Sequence, residues 1–452
     1  MNEDRSFKQV IIYVALTGLV LLLAMRDILG FSLNKYLYAV YCIVLLVFIE
    51  YEDMFPVMSF ILPLLWGLPG TYILLAAVAL FIYKKGYVDT VFLSCNVLFL
   101  ILETFASLWY PEKDFIEIVG YLCTVSTLLI FIQEDQGIDY ERCLQYFVTG
   151  CTVLCGVIVI CGLQNAPSDW LWRFSKGWFR FGETHGLGET GMTLKVNANT
   201  MAYYSIAGIA CGLPLFQRCR SHWKRVLLIA EIAALLISGF LTVSRSWVLV
   251  LVVLILLLVR YNMQSPRLFF PTIFMLACAT LVGMVILIKN PELLEGFLTR
   301  ASDDNMATGG GRTEIMVDYL RVFFGNFRYI LFGMGVTQYN SISGVGHAMH
   351  NGTEQILVCY GLIGCCLFIY AIIQPVSRFV GKKIGLIYWI PLITIVLFDQ
   401  TIQFINPDTL MFPYAAGVLA LRFGEEGKMR YVLNGASGGR KVLGRNFSDA
   451  YK

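Results

Sequence analysis

The pair with the clearest chemical use is His350 and Glu354. On a helix, positions i and i+4 share a face. A carboxylate so placed would hold the imidazole in one tautomer and raise its basicity, as a general base requires. Asn351 follows the histidine directly, and His347 precedes it in His347-Ala348-Met349-His350. Arg245, in Val243-Ser244-Arg245-Ser246, and Arg312, after Gly309-Gly310-Gly311, supply fixed cations. A guanidinium suits phosphate because its fork donates two parallel hydrogen bonds and is not deprotonated. Arg321 and Arg328 follow in an amphipathic stretch, and Arg180 lies in a separate segment with Trp170, Trp172, Arg173, Trp178 and Phe179. Plainer uses exist for the same side chains: a histidine or arginine at a membrane surface anchors or snorkels, and a cluster of Trp forms a headgroup-level belt. Aromatic faces would equally serve as a platform for sugars.

Other patterns are weaker. The triple glycine is not a phosphate-binding P-loop, since no Lys-Ser/Thr follows it and no strand precedes it. The two histidines of 347–350 have no carboxylate between them, and Asp303-Asp304 alone reads as a solvated pair, so no metal site is expected. Glu103, Glu231 and Asp399 fall within or beside apolar stretches and read first as structural or interfacial. The 13 cysteines avoid 164–197 and 289–350 and form no CxxC pair, which argues against a disulfide framework or a redox centre. Gly435-Ala436-Ser437-Gly438 mimics a protease serine motif, but it sits in a polar tail with no histidine after it.

The elements that must position these residues follow from composition. The chain has 452 residues, 58% hydrophobic and only 14% charged, with a mean hydropathy of +0.69. Soluble domains carry roughly 25% charged residues. The composition excludes a basic nucleic-acid binder, a disordered scaffold and a disulfide-rich secreted module, and it fits a polytopic membrane protein. Apolar stretches occur at 9–25, 36–50, 88–109, 115–132, 143–163, 198–217, 226–243, 247–259, 268–288, 351–373, 384–404 and 408–423. The run 54–83 turns at Gly67-Leu68-Pro69-Gly70 and reads as two short helices. The expected fold is all-α: a polytopic transmembrane bundle of about 12–14 spans, with a large extracytoplasmic loop containing short helices. The expected segments are N-terminal spans over 1–163, an outer aromatic loop 164–197, central spans 198–288, the large outer loop 289–350, C-terminal spans 351–423 and a cytoplasmic tail 424–452. Most of the 34 basic residues fall inside if both termini are cytoplasmic, which makes that the better orientation.

The block from His350 to Gly364 reads H-N-x9-G-x-x-G and resembles the signature of the O-antigen ligase and polysaccharide polymerase family, the WaaL/Wzy type. Further pieces are similar in the same order. They are Asn197-Ala198-Asn199-Thr200-Met201-Ala202 (with Ala198 for the family's Pro), Val243 to Ser246, Gly311-Arg312-Thr313-Glu314 (with Met316 where a Trp is expected) and Leu331-Phe332-Gly333-Met334-Gly335. The resemblance covers roughly residues 195–375; the N-terminal third is similar in hydropathy alone.

The resemblance implies a metal-independent glycosyl transfer, without cofactor, on the outer face of a bacterial plasma membrane. The donor would be an undecaprenyl-pyrophosphate-linked oligosaccharide, with the lipid bilayer and other polysaccharide-assembly membrane proteins as further partners and no nucleic acid. His350, Arg312 and Arg245 would be catalytic, the histidine toward the acceptor hydroxyl and the arginines toward the leaving pyrophosphate. Asn351, Glu354, His347, Arg321 and Arg180 would bind substrate. The motif does not separate a polymerase, which extends a surface polysaccharide, from a ligase, which moves the glycan to lipid A core or another acceptor. Polymerase is favoured because no extra acceptor domain is evident. A lipid-linked oligosaccharide flippase is the alternative of another class. It would be expected to carry mid-span charges and short outer loops, whereas here the polar signals gather at one face.

Overall fold

The computed structural model describes residues 2–85, 89–109, 115–133, 137–176, 178–182, 196–263, 312–336, 338–346, 349, 351–399 and 412–436. The expected span 268–288, the acids at 303–304, the triple glycine, His347, His350 and the end of the tail lie outside the described residues, as does the side chain of Arg312. The described chain is all-α, with helices and no strands.

The first seven helices are α1 (Asn2–Asp27), α2 (Lys35–Phe48), α3 (Tyr51–Leu64), α4 (Gly70–Lys85), α5 (Thr90–Trp109), α6 (Phe115–Gln133) and α7 (Tyr140–Gln164). A short α8 (Trp170–Ser175) follows, then α9 (Ala198–Arg218), α10 (His222–Leu241) and α11 (Arg245–Asn262). Beyond these come α12 (Arg312–Phe324), α13 (Phe327–Phe332), α14 (Tyr339–Ser343), α15 (Gly352–Ser377), α16 (Leu386–Asp399) and α17 (Phe412–Ala436). The run 54–83 is indeed two helices, joined by one 3-10 turn over Leu65–Gly67. Polar caps set several starts. Asn34 accepts the Tyr36 amide at 2.9 Å, and Asp139 accepts the Arg142 amide at 3.1 Å.

Among the described residues, five helices are long and apolar enough to cross a bilayer: Phe7–Asp27, Ile116–Gln133, Tyr140–Gln164, Arg245–Asn262 and Gly352–Ser377. Lys35–Phe48, Thr90–Ala106 and Leu386–Asp399 are apolar and shorter. The outward faces confirm the solvent these helices suit. Val14, Leu249 and Leu256 are 66%, 63% and 62% exposed, and leaving such rows of large apolar side chains uncovered is tolerable in lipid and costly in water. By contrast α9 is buried along nearly its whole length, packed by α7, α10 and α16. Walled in by protein, it can keep Asn199, Thr200 and Ser205 on an otherwise apolar helix.

Contacts sort the helix ends into two sets. At one end Arg26 donates to the Gly67 carbonyl at 2.6 Å, and Cys161 meets the Asp27 carbonyl at 3.2 Å. This ties the end of α1, the α3–α4 turn and the end of α7 together. At the other end Lys8 pairs with Glu50 at 2.6 Å, Arg142 with Asp53 at 2.7 Å, and Lys382 with Glu425. There, too, Lys84 donates to the carbonyls of Leu46 at 2.8 Å, Val47 at 3.2 Å and Ile49, which closes the end of α2. Successive long helices therefore run in alternating directions, and Lys8, near the chain's start, shares an end with Glu425, near its finish.

Candidate functional site

The Arg26 end holds Arg180, Asn199, Arg245, Asn351 and Glu354 of the polar groups singled out by sequence. The first group surrounds the turn between α10 and α11. Val243 has φ 49°, a left-handed conformation rare for a β-branched residue. Its neighbours hold it there. The Val243 amide donates to the Phe240 carbonyl at 3.1 Å, the Phe181 amide to the Leu241 carbonyl at 3.2 Å, and Arg180 Nε to the Thr242 carbonyl at 2.9 Å. Ser244 then stands at the N-cap of α11, and Arg245 is its first helical residue, with an exposed side chain.

Asn199 joins this turn to α9. Its Oδ1 accepts from Arg180 Nη2 at 3.3 Å and from Ser244 Oγ at 3.2 Å. Asn197 caps α9 by accepting the Asn199 amide at 2.7 Å. The two asparagines of Asn197-Ala198-Asn199 thus have different duties: one starts the helix, the other clamps an arginine and the neighbouring turn. The N-termini of α9 and α11 point their positive dipole ends into the same region as the two arginines, which favours an anion there.

The second group is the start of α15. Asn351 is its N-cap and accepts the Glu354 amide at 3.0 Å. Position 350 lies outside the described residues. Asn351 and Glu354 stand at the spacing of a capping box, with the bond from the Glu354 amide to the Asn351 side chain made. The Glu354 carboxylate is buried and has no hydrogen-bond partner among the described residues. Beside it Gln355 donates to the Tyr339 hydroxyl at 3.4 Å, and Tyr319 donates to Asn340. These bonds seat α12, which opens at Arg312, and α14 against α15.

A backbone lock fixes the large loop to this helix. α15 breaks at Gly361, with φ 60° and ψ −172°. The break leaves carbonyls without their usual helical donors, and the loop supplies them: Met334 N–H to Val358 O at 2.9 Å, and Gly335 N–H to Cys359 O at 3.0 Å. The next amide, Val336, donates to the buried carboxylate of Glu103 on α5 at 2.5 Å. The second motif glycine, Gly364, faces α5, where a Cβ would sit 2.7 Å from Leu102. So in H-N-x9-G-x-x-G the asparagine caps, the first glycine breaks the helix to receive Leu331 to Gly335, and the last allows α5 to approach.

Of the expected site residues, Arg180 and Arg245 flank one turn, and Asn351 and Glu354 share another. Arg321 pairs with Asp318 at 3.0 Å on an exposed face, an arrangement of little energetic weight. In the aromatic loop, Trp170 packs on Phe179 and Phe181, while Trp172 and Trp178 meet edge to face at 5.1 Å and stay exposed. Sequence reasoning missed the part played by Glu103, whose partner lies 233 residues along the chain, and by Gln355 and Tyr339, which meet across 16 residues. No model of a known protein family matches the chain, and no curated protein sequence matches it.

Proposed function

We propose that the chain is a membrane glycosyltransferase that polymerises undecaprenyl-pyrophosphate-linked oligosaccharide units into a surface polysaccharide. One observation carries the reading. Two motifs that resemble the polymerase and ligase family, 331–335 and 350–364, interlock backbone to backbone at Gly333 and Gly361. Their joint presence in the sequence therefore has a physical reason. The cationic turn at Arg180, Asn199 and Arg245 lies at an end of the bundle consistent with the outer face in a both-termini-inside orientation.

In this reading the acceptor hydroxyl oxygen attacks the anomeric carbon of the donor sugar. The bond from that carbon to the pyrophosphate oxygen breaks, and undecaprenyl pyrophosphate leaves. His350 takes the hydroxyl proton. Arg245 and Arg312 stabilise the charge that develops on the leaving oxygen. Arg180, held by Thr242 and Asn199, keeps the Arg245 turn in place.

The test is polymer length in bacterial cells that lack the native copy. His350→Ala and Arg312→Ala should each abolish polymer while the protein still inserts. Normal-length glycan from both variants overturns the assignment.

A further inference from the structure

The opposite end of the bundle carries a cleft of about 410 Å³, in the range of small-ligand sites. Its walls are the α6–α7 turn, the α15–α16 turn and the body of α17. Arg378, Lys382 and Arg422 line it with Glu425 and Glu426, three cations against two carboxylates, a formal charge of +1. Lys382 is paired with Glu425. Arg422 is 5% exposed and is fixed in the wall by its Nη2 bond to the Ile132 carbonyl, at 2.6 Å. Arg378 and Lys382 are exposed, on the turn that follows α15. A guanidinium held rigid in a wall, with more cations at the mouth, matches the geometry and charge of a phosphate group. The cleft opens where helices end, the level at which headgroups meet a membrane protein, and basic clefts between helices are suited to them.

We propose that this cleft binds a phosphate-bearing anion, held by Arg378 and Arg422 with Lys382 in support. The phosphate can come from an anionic phospholipid headgroup or from a soluble phosphate compound. Neither source takes part in the glycosyl transfer proposed above, since the cleft sits at the far end of the helices from Asn199 and Asn351.

The experiment uses the purified full-length chain in phosphatidylcholine nanodiscs, with phosphatidylglycerol added to the bilayer in one arm and inorganic phosphate to the buffer in the other. Binding is read by native mass spectrometry and by the shift in melting temperature. A response to phosphatidylglycerol assigns the lipid source, and a response to phosphate the soluble one. In whichever arm responds, Arg378→Ala with Lys382→Ala should weaken binding roughly thirtyfold, about fivefold for each cation removed. Lys383→Ala, on the same turn but outside the cleft, should leave it unchanged. Glu426→Gln should tighten binding, and it reports even if the double variant is poorly produced. No response to either probe, or equal responses from the parent and the double variant, overturns the proposal; so does unchanged or weaker binding by Glu426→Gln.

Discussion

Gly333 and Gly361 touch backbone to backbone, so neither has room for a side chain. A Cβ on Gly333 would lie 2.1 Å from the Cys359 carbonyl oxygen, and one on Gly361 would lie 2.5 Å from the Gly333 amide nitrogen. Both residues also have φ near +60° to +80° with ψ near 180°, a region essentially restricted to glycine.

Alanine at either position should therefore unseat the loop. Strain of about 1–3 kcal/mol adds to a clash against backbone that cannot rotate away. Gly333→Ala and Gly361→Ala should lower the melting temperature and abolish polymer. Gly346→Ala should do neither, because open space surrounds that position. Equal melting temperatures for all three would refute the lock.

Asn199 accepts from both Arg180 and Ser244, so its loss takes an acceptor from the half-buried guanidinium and from the buried hydroxyl. Asn199→Ala should cost about 1–3 kcal/mol. Asn199→Asp keeps the acceptor and strengthens its bond to Arg180, while the added negative charge repels a pyrophosphate. It should melt no lower than the parent yet make less polymer. Full polymer from the aspartate variant would contradict an anion site at this turn.

Glu103 gives the Val336 amide a buried side-chain acceptor, and leaving a buried donor unpaired costs about 1–3 kcal/mol. Glu103→Gln should keep a weaker bond and Glu103→Ala none. Hydrogen exchange of peptides covering 334–336 should speed up in that order. Exchange identical to the parent in the alanine variant would show that Val336 is held by something else.

Tyr319 in the loop offers a pH signature. Burial pushes its phenol up to about 12, with the neighbouring Ser343 pulling weakly the other way. Burial raises the neighbouring Tyr339 phenol as well. The folded form keeps the proton longer than the unfolded form does. Stability from this group is thus complete below about pH 10 and is lost as pH rises through about 12. Melting temperature against pH should fall less steeply in Tyr319→Phe than in the parent across that window. Parallel slopes would argue against a buried phenol.

Hydropathy made most helices legible, including the paired α3 and α4, because lipid-facing and core-facing positions are both apolar. It could not show the break in α15. The residues on either side of Gly361 are equally apolar, and only a partner loop makes a left-handed glycine useful there. The cap at Asn351 is legible as Asn-x-x-Glu, the spacing at which an N-cap side chain meets the third helical amide. Arg180 and Asn199 stood out separately, and their bond across 19 residues of chain is encoded by no local spacing. Glu103 looked like an interfacial acid because its partner, the Val336 amide, lies 233 residues away.

The three bonds from Lys84 bear on how the chain is built during synthesis. The carbonyls of Leu46, Val47 and Ile49 receive their donor only once a residue 35 to 38 positions later has been made. Until then the end of α2 must stay in contact with water or the insertion machinery, since bare carbonyls do not settle in hydrocarbon. At a helix end water can serve those carbonyls in the meantime, so Lys84 displaces water when α4 arrives, and the closing of that end is a late step that follows the synthesis of α2, α3 and α4.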